Sequence, residues 1–140
     1  MPPETLIIAM GAHIGWVVIL YLILTVVRAP VAWGIGHRPD GSDPWADIEP
    51  RVSANLRNQF EWPMLFYVAC LLLLMENGPI DPVQTWLAWL FVAGRVVHSG
   101  VQILTTNIRL RGIVFTINFV AVLGMWGQIV LVTLGKLGMS

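Results

Sequence analysis

The chain has 140 residues, of which 56% are hydrophobic and only 11% are charged. A soluble domain of this length has no core large enough to cover so much apolar surface, so the composition indicates a protein of the lipid bilayer. The formal net charge is zero, which gives no reason to expect a nucleic acid as a partner. The single cysteine, Cys70, excludes an internal disulfide and a paired-cysteine redox site.

Four apolar segments follow one another along the chain, each about as long as the ~20 residues that cross a hydrocarbon layer. The first follows Glu4 without any basic residue and is longer than a signal-peptide core, so we interpret it as a retained span. The predicted fold class is all-α, an integral membrane four-helix bundle in a single domain of residues 1–140. The predicted spans are residues 5–28, 51–76, 82–105 and 109–136.

The charges of the loops predict the orientation of these spans. Lys136 is the only basic residue on one side of the predicted bundle, where it accompanies Glu4, Glu76 and Asp81. Most arginines lie in or beside the first and third loops, at Arg28, Arg38, Arg51, Arg57, Arg109 and Arg111. By the positive-inside rule, the first and third loops face the cytoplasm and both termini face outward.

Polar residues occupy the first half of the second span. Arg51, Asn58 and Glu61 are spaced by seven and three residues, which places them on one helical face. A charge at the bilayer centre costs roughly 2.5–3.5 kcal/mol on insertion scales, so this face must meet protein or water. Pro63 lacks an amide donor and predicts a bend just after Glu61. The alternative is a solvated helical extension in which Arg57 and Glu61 pair.

The third span repeats this pattern. Arg95, His98 and Gln102 follow one another at intervals of three and four residues and share a helical face. Arg95 lies inside an apolar sequence, so it requires a carboxylate or an anionic ligand. Glu61 is the internal candidate, being the only acid within a predicted span. An Arg95–Glu61 pair that only locks two helices together is the alternative to a binding site.

The fourth span begins with polar residues and continues to Asn118, on the same face as Arg111. With the predicted topology, the polar residues of three spans converge on the cytoplasmic half of the bundle. This convergence predicts a site for an anionic, peptide-like ligand held by arginines and oriented by amide side chains. The residues concerned are Asn58, Glu61, His98, Gln102 and Arg111.

The segments Asn58-Gln59-Phe60-Glu61 and Gly94-Arg95-Val96-Val97-His98-Ser99, followed by Arg111, resemble the MAPEG superfamily of eicosanoid and glutathione metabolism. The resemblance extends over residues 47–115. The run Asn58-Gln59-Phe60-Glu61-Trp62-Pro63 is similar to the bacterial branch, which implies a bacterial inner membrane. It also implies a homotrimer that binds glutathione between neighbouring subunits near the cytoplasmic side, with membrane lipids around it.

The resemblance further implies roles for individual residues. Arg111 matches the family arginine that stabilises the glutathione thiolate, the form in which a thiol is a strong nucleophile. Asn58 and Glu61 would hold the polar ends of the tripeptide. The remaining residues would line or brace its pocket; they are Arg51, Arg95, His98 and Gln102. A lipophilic electrophile or lipid hydroperoxide would reach the thiolate laterally from the bilayer.

Three positions depart from the family pattern. Ala54 stands where the family often has an arginine, and Gln102 stands where several members have a tyrosine. Asn107 occupies a position that is basic in some relatives. These departures leave two functions open: a glutathione-dependent transferase or peroxidase, and a non-catalytic lipid-binding or scaffold protein of the same fold.

Two other functions are disfavoured. A transporter using Glu61 as a proton-coupled carboxylate conflicts with nearby arginines, which keep an acid ionised, and no inverted repeat is visible. A haem held by His13 and His98 requires two histidines at one depth, whereas the predicted topology separates them by more than about 10 Å. The resemblance implies glutathione as co-substrate, and we expect no metal and no haem.

Overall fold

Five α-helices make up the four expected spans in the computed structural model, which describes residues 1–76 and 78–138. They are α1 (Glu4–Trp33), α2 (Glu49–Asn58), α3 (Pro63–Met75), α4 (Pro82–Leu104) and α5 (Ile108–Gly138). Four spans are each long and apolar enough to cross a membrane: α1, the pair α2 and α3, α4, and α5. The described residues form no strand. The all-α, four-span prediction is confirmed. The predicted domain also includes Asn77, Met139 and Ser140, which lie outside the described residues.

The second span is divided into α2 and α3, and Pro63 explains the division. A proline cannot donate the backbone hydrogen bond that a helix would make to the carbonyl four residues earlier, here that of Gln59. α2 therefore ends at Asn58 and α3 begins at Pro63. The predicted bend is confirmed, but the interruption begins before Glu61 rather than after it. Asn58 and Glu61 consequently do not share one continuous helical face.

The first span extends to Trp33 rather than to residue 28, and Gly34 ends it. Gly34 has a φ of 68°, the left-handed conformation that glycine adopts without steric cost. In this conformation its amide bonds to the carbonyl of Pro30 at 2.9 Å, which satisfies one of the last carbonyls of α1. The chain then leaves the helix for the first loop.

α4 is the central helix, because ten of its residues are buried and it contacts α1, α2 and α5. The interior of the bundle contains two apolar cores. A layer of polar side chains lies between them in the direction of the helix axes. The larger core includes Leu6, Phe66, Phe91, Val122 and Met125. The smaller core consists of Leu20, Leu24, Val27, Val52 and Leu56.

The two ends of the bundle carry opposite charge. We call the end with the α1–α2 and α4–α5 connections the basic end; its cations are Arg28, Arg38, Arg51, Arg57, Arg109 and Arg111, which outnumber the acids Asp40, Asp43, Asp47 and Glu49. We call the end with the α3–α4 connection the acidic end; its charged residues are Glu4, Glu76, Asp81 and Lys136. Between the ends, large apolar side chains are exposed on all four spans, as expected for surfaces that meet lipid.

Candidate functional site

Arg95 lies at the centre of the polar layer and is completely buried, with 0% of its surface exposed. Its Nε donates to Oε1 of Gln59 at 3.1 Å, and its Nη2 donates to the backbone carbonyl of Asn58 at 2.9 Å. The interruption after α2 makes the second bond possible, because that carbonyl is no longer used inside a continuing helix. Nη1 of Arg95 has no partner. A buried guanidinium with a spare donor is suited to an anionic ligand.

The prediction that Glu61 pairs with Arg95 is wrong. Glu61 is exposed because the interruption of the second span takes it off the α2 face that packs on α4. The alternative pair of Arg57 with Glu61 is not formed either. Across residues 1–76 and 78–138 the ion pairs are elsewhere, at Arg28–Glu49 and Lys136–Glu76.

Gln102 joins α4 to α2. Its Oε1 accepts hydrogen bonds from Nδ2 of Asn55 at 2.9 Å and from Nδ2 of Asn58 at 3.2 Å. Asn55 in turn accepts from Nε2 of Gln59 at 3.2 Å. Two helices are therefore cross-linked by amide groups, and Gln102 holds Asn58 in place.

Ser99 and His13 extend the same network to α1 and α3. Ser99 accepts from Nε2 of Gln59 at 3.2 Å and from Nε1 of Trp16 at 3.1 Å. His13 uses both ring nitrogens, one with the hydroxyl of Tyr67 at 2.7 Å and the other with Oε1 of Gln59 at 3.2 Å. With both nitrogens engaged in hydrogen bonds, His13 is a packing residue of the polar layer.

Asn118 brings α5 close to α4. It is completely buried, and neither its amide nitrogen nor its amide oxygen has a partner. A Cβ added at Gly94 would lie 2.0 Å from Oδ1 of Asn118, so only glycine at position 94 accommodates this side chain. The close approach of the two helices puts a second unpartnered polar group beside the layer that contains Arg95.

A cavity of about 330 Å³ lies at the basic end, where Asn58 belongs both to its lining and to this layer; we call it the basic-end cavity. Its lining comes from α2, α4 and α5 and consists of Asn58, His98, Ile108, Arg111, Gly112 and Phe115. Arg111 is exposed, so its guanidinium is accessible. His98 is buried, its Nδ1 has no partner, and the charges of Arg95 and Arg111 both act on it. The cavity thus combines one guanidinium, an imidazole, an amide and an aromatic ring.

The structure brings some of the residues predicted from the sequence together and leaves others apart. Asn58, His98 and Arg111 line the basic-end cavity. Arg95 and Gln102 bond directly to Asn58 and support it from below. Arg51, which is half-buried on α2, and Glu61 do not line this cavity.

Sequence reasoning missed five members of the polar layer, namely His13, Trp16, Asn55, Gln59 and Ser99. A signal for two of them was present: Asn55 and Gln59 are four residues apart and therefore lie on one face of a helix. The spacing of Arg51, Asn58 and Glu61, from which the buried face was predicted instead, indicates a different face of the helix. Among the described residues, no three His, Cys, Asp or Glu side chains form a metal-ligand group.

A comparison with protein families gives one match. The model described as the MAPEG family matches residues 6–131, a range that includes the whole polar layer and the lining of the basic-end cavity. No curated protein and no solved structure matches the chain.

Proposed function

Because this chain belongs to the MAPEG family, we propose that it is a glutathione-dependent membrane transferase or peroxidase acting on lipophilic electrophiles or lipid hydroperoxides. The observation that carries the proposal is the basic-end cavity, in which the accessible guanidinium of Arg111 lies beside a histidine with an unpartnered nitrogen. Such a cavity offers hydrogen-bond donors and positive charge to a thiolate or a carboxylate.

Glutathione has two carboxylates, an ammonium group and two peptide bonds, and the polar residues match these groups. Asn58 offers an amide to a peptide group, and Glu61 offers a carboxylate to the ammonium. His98, Arg95 and Arg51 offer donors to the carboxylates, with Gln102 bracing Asn58. The unpartnered Nη1 of Arg95 is the donor that a bound carboxylate would satisfy.

Arg111 is the residue to which we assign the activation of the thiol. A fixed guanidinium favours the ionised form of a nearby thiol, which is the nucleophile. In the transferase reaction the thiolate forms a sulfur–carbon bond as the leaving group departs with its electron pair. In the peroxidase reaction two glutathione molecules are oxidised to the disulfide while a hydroperoxide is reduced to an alcohol and water. An apolar substrate enters along the exposed apolar faces of the spans.

A homotrimer is consistent with the placement of Glu61 and Arg51. Glu61 is exposed on the single chain, beside Phe60, whose side chain is exposed as well. A carboxylate facing lipid is costly, so a neighbouring subunit or a water-filled groove must cover it. We propose that Arg51 and Glu61 of one subunit complete the basic-end cavity of another. In the membrane, the basic end would face the cytoplasm.

The alternative is a non-catalytic lipid-binding or scaffold protein, and one observation favours it. Gln102 stands where several members of the family have a tyrosine, and its Oε1 is already occupied by two amide donors. In this chain that position serves packing between helices, and an accessible hydroxyl is lost from the site. The experiment below distinguishes the two functions.

The proposal is tested by ultraviolet difference absorbance of the detergent-purified protein titrated with glutathione. We expect a saturable thiolate band in the wild type and its loss in Arg111→Ala. Arg109→Ala is the matched control, because Arg109 is an exposed arginine of the same helix that does not line the basic-end cavity. This control should keep the band.

Two other results would each change the conclusion. Binding of glutathione without a thiolate band would remove Arg111 as the activating group. An absence of binding at millimolar glutathione would contradict the enzyme and favour the lipid-binding alternative, which is then tested by identifying lipids that copurify with the protein.

A further inference from the structure

A second cavity, of about 500 Å³, lies at the acidic end of the bundle; we call it the acidic-end cavity. It is formed by the end of α3, the α3–α4 connection, the start of α4 and the last turns of α5. Its walls are largely apolar and include Leu72, Leu73, Ile80, Ile129 and Val132. Its volume is in the range of pockets that bind small molecules. The glutathione proposal makes no use of it.

Gln84 is the decisive residue of this cavity. Its side chain lines the cavity yet is only 1% exposed. Nε2 donates to the backbone carbonyl of Met125 at 3.1 Å, which fixes the orientation of the amide. Oε1 is left buried without a hydrogen-bond partner. Most buried side-chain acceptors in native proteins have a hydrogen-bond partner, and no described residue supplies one here, so this oxygen is available to a donor on a bound molecule.

The charges around the cavity specify the kind of donor. The lining itself carries two carboxylates, those of Glu76 and Asp81, and no cationic side chain. Two ammonium groups lie beside it: Lys136 pairs with Glu76 at 3.0 Å, and the N-terminal ammonium of Met1 donates to the backbone carbonyl of Ile80. Asp81 accepts the amide of Val83 at 2.7 Å as the N-cap of α4, and no described ion pair involves it. The lining is therefore acidic, and among the described residues Asp81 is a carboxylate without an ion pair and Oε1 of Gln84 is an acceptor without a donor.

A divalent cation does not suit this set of groups. Calcium takes six to eight oxygen ligands, whereas the side chains of the cavity offer two carboxylates on separate helix ends, two amides, those of Gln84 and Gln128, and the hydroxyl of Thr133 within largely apolar walls. A molecule with an apolar chain and a cationic donor at its head matches both the walls and the polar groups.

We propose that the acidic-end cavity binds an amphiphile with a primary ammonium headgroup and an apolar chain. The ammonium donates to Oε1 of Gln84 and interacts with the carboxylates of Glu76 and Asp81. The chain lies along the leucines of α3 and the aliphatic residues of α5. This inference is independent of the proposed glutathione chemistry, which concerns the opposite end of the bundle.

The test is photoaffinity labelling with a long-chain primary amine that carries a diazirine on its chain. The protein is reconstituted in discs of phosphatidylcholine, a lipid without a primary amine, and the labelled residues are mapped by mass spectrometry. We expect saturable labelling of Leu72, Leu73, Ile129 or Val132. The same chain with a trimethylammonium head, which has charge but no donor, and the same chain with a hydroxyl head, which has a donor but no charge, should both label about tenfold less.

Three variants assign the site. Gln84→Met keeps the length of the side chain but removes the acceptor, and should reduce saturable labelling about tenfold. Asp81→Asn removes the charge but keeps a good N-cap residue, so the helix start is retained while labelling falls. Glu4→Gln is the matched control, since it makes the same kind of charge change at the same end outside the cavity lining and should label as the wild type does.

Equal labelling of the wild type, Gln84→Met and Asp81→Asn would overturn the proposal, as would labelling of the hydroxyl probe at the level of the amine. Discs enriched in phosphatidylethanolamine identify the source of the ammonium. Displacement of the probe by this lipid assigns the site to a lipid headgroup, and retention of the probe assigns it to a free long-chain amine. Glutathione titration of Gln84→Met shows separately whether the basic end is intact.

Discussion

The basic end and the acidic end of the bundle each contain a cavity beside α4, and the two differ in the polar atoms they leave without a partner. At the basic end these atoms include a donor, Nη1 of Arg95, and Nδ1 of His98, whose role depends on the tautomer of the ring. At the acidic end they are oxygens, Oε1 of Gln84, which is an acceptor, and the hydroxyl of Thr85. The difference teaches that one helix can border two cavities of opposite preference, one suited to an anionic ligand and the other to a cationic ligand. The following predictions test how far this contrast holds.

The largest effect is expected where α4 and α5 approach each other beside the polar layer. Gly94→Ala places a Cβ 2.0 Å from Oδ1 of Asn118, inside a completely buried contact. We expect the free energy of unfolding in detergent to fall by about 1–3 kcal/mol, the usual cost of overpacking. Thermal or denaturant unfolding, followed by circular dichroism, measures it.

The control for this change is Gly100→Ala on the same helix, where an added Cβ meets no atom within 4 Å. Alanine is the better helix former, so this variant should be neutral or more stable by up to about 1 kcal/mol. Combining Gly94→Ala with Asn118→Ala should restore much of the lost stability, because the clashing side chain is removed. Equal changes in the free energy of unfolding for Gly94→Ala and Gly100→Ala would contradict the close approach of α4 and α5.

A smaller effect is expected from Gln102→Leu, which removes the acceptor for Asn55 and Asn58. Leaving buried amide donors unpartnered costs about 1–3 kcal/mol, reduced here because Asn58 is only half-buried. Gln102→Glu keeps an acceptor and should lose less. Gln128→Leu is the same change at a half-buried position of the acidic end and allows the two ends to be compared. It should alter the free energy of unfolding by less than about 0.5 kcal/mol.

The smallest effect on stability is expected at the Lys136–Glu76 ion pair, in which both side chains are more than half exposed. Lys136→Ala should change the free energy of unfolding by less than about 1 kcal/mol, as is usual for surface pairs. It should, however, increase labelling by the amine probe about twofold, because the acidic-end cavity becomes more negative. Decreased labelling would show that Lys136 attracts the ligand rather than competing with it.

The four spans could be predicted from the sequence because a membrane span requires a long apolar run of residues. Such a run can be recognised without knowing how the helices pack. The interruption at Pro63 could also be predicted, because the missing amide of a proline disrupts the helix at that position whatever packs around it. The partner of Arg95 could not be predicted. The choice of Glu61 assumed that the helix continues past Asn58, whereas α2 ends there.

The arrangement of the sites depended on packing that spacing alone does not specify. The role of Gln59 follows from the rotation of α2 against α4, which brings its amide to Arg95 and Ser99. The fit of Asn118 against Gly94 depends likewise on the distance between two helices. The acidic-end cavity is formed by residues 72–84 together with residues 128–133 of α5, and the sequence does not show that α5 packs there.

The central position of α4 has a consequence for regulation. Gln84 and His98 lie fourteen residues apart on this one helix, which corresponds to about 21 Å along its axis. A small molecule in one cavity therefore cannot touch the other, and any influence between them must pass through α4 and its neighbours. Thermodynamic linkage then sets a strict condition: if an amine at one end changes the affinity for glutathione at the other, glutathione must change the affinity for the amine by the same factor.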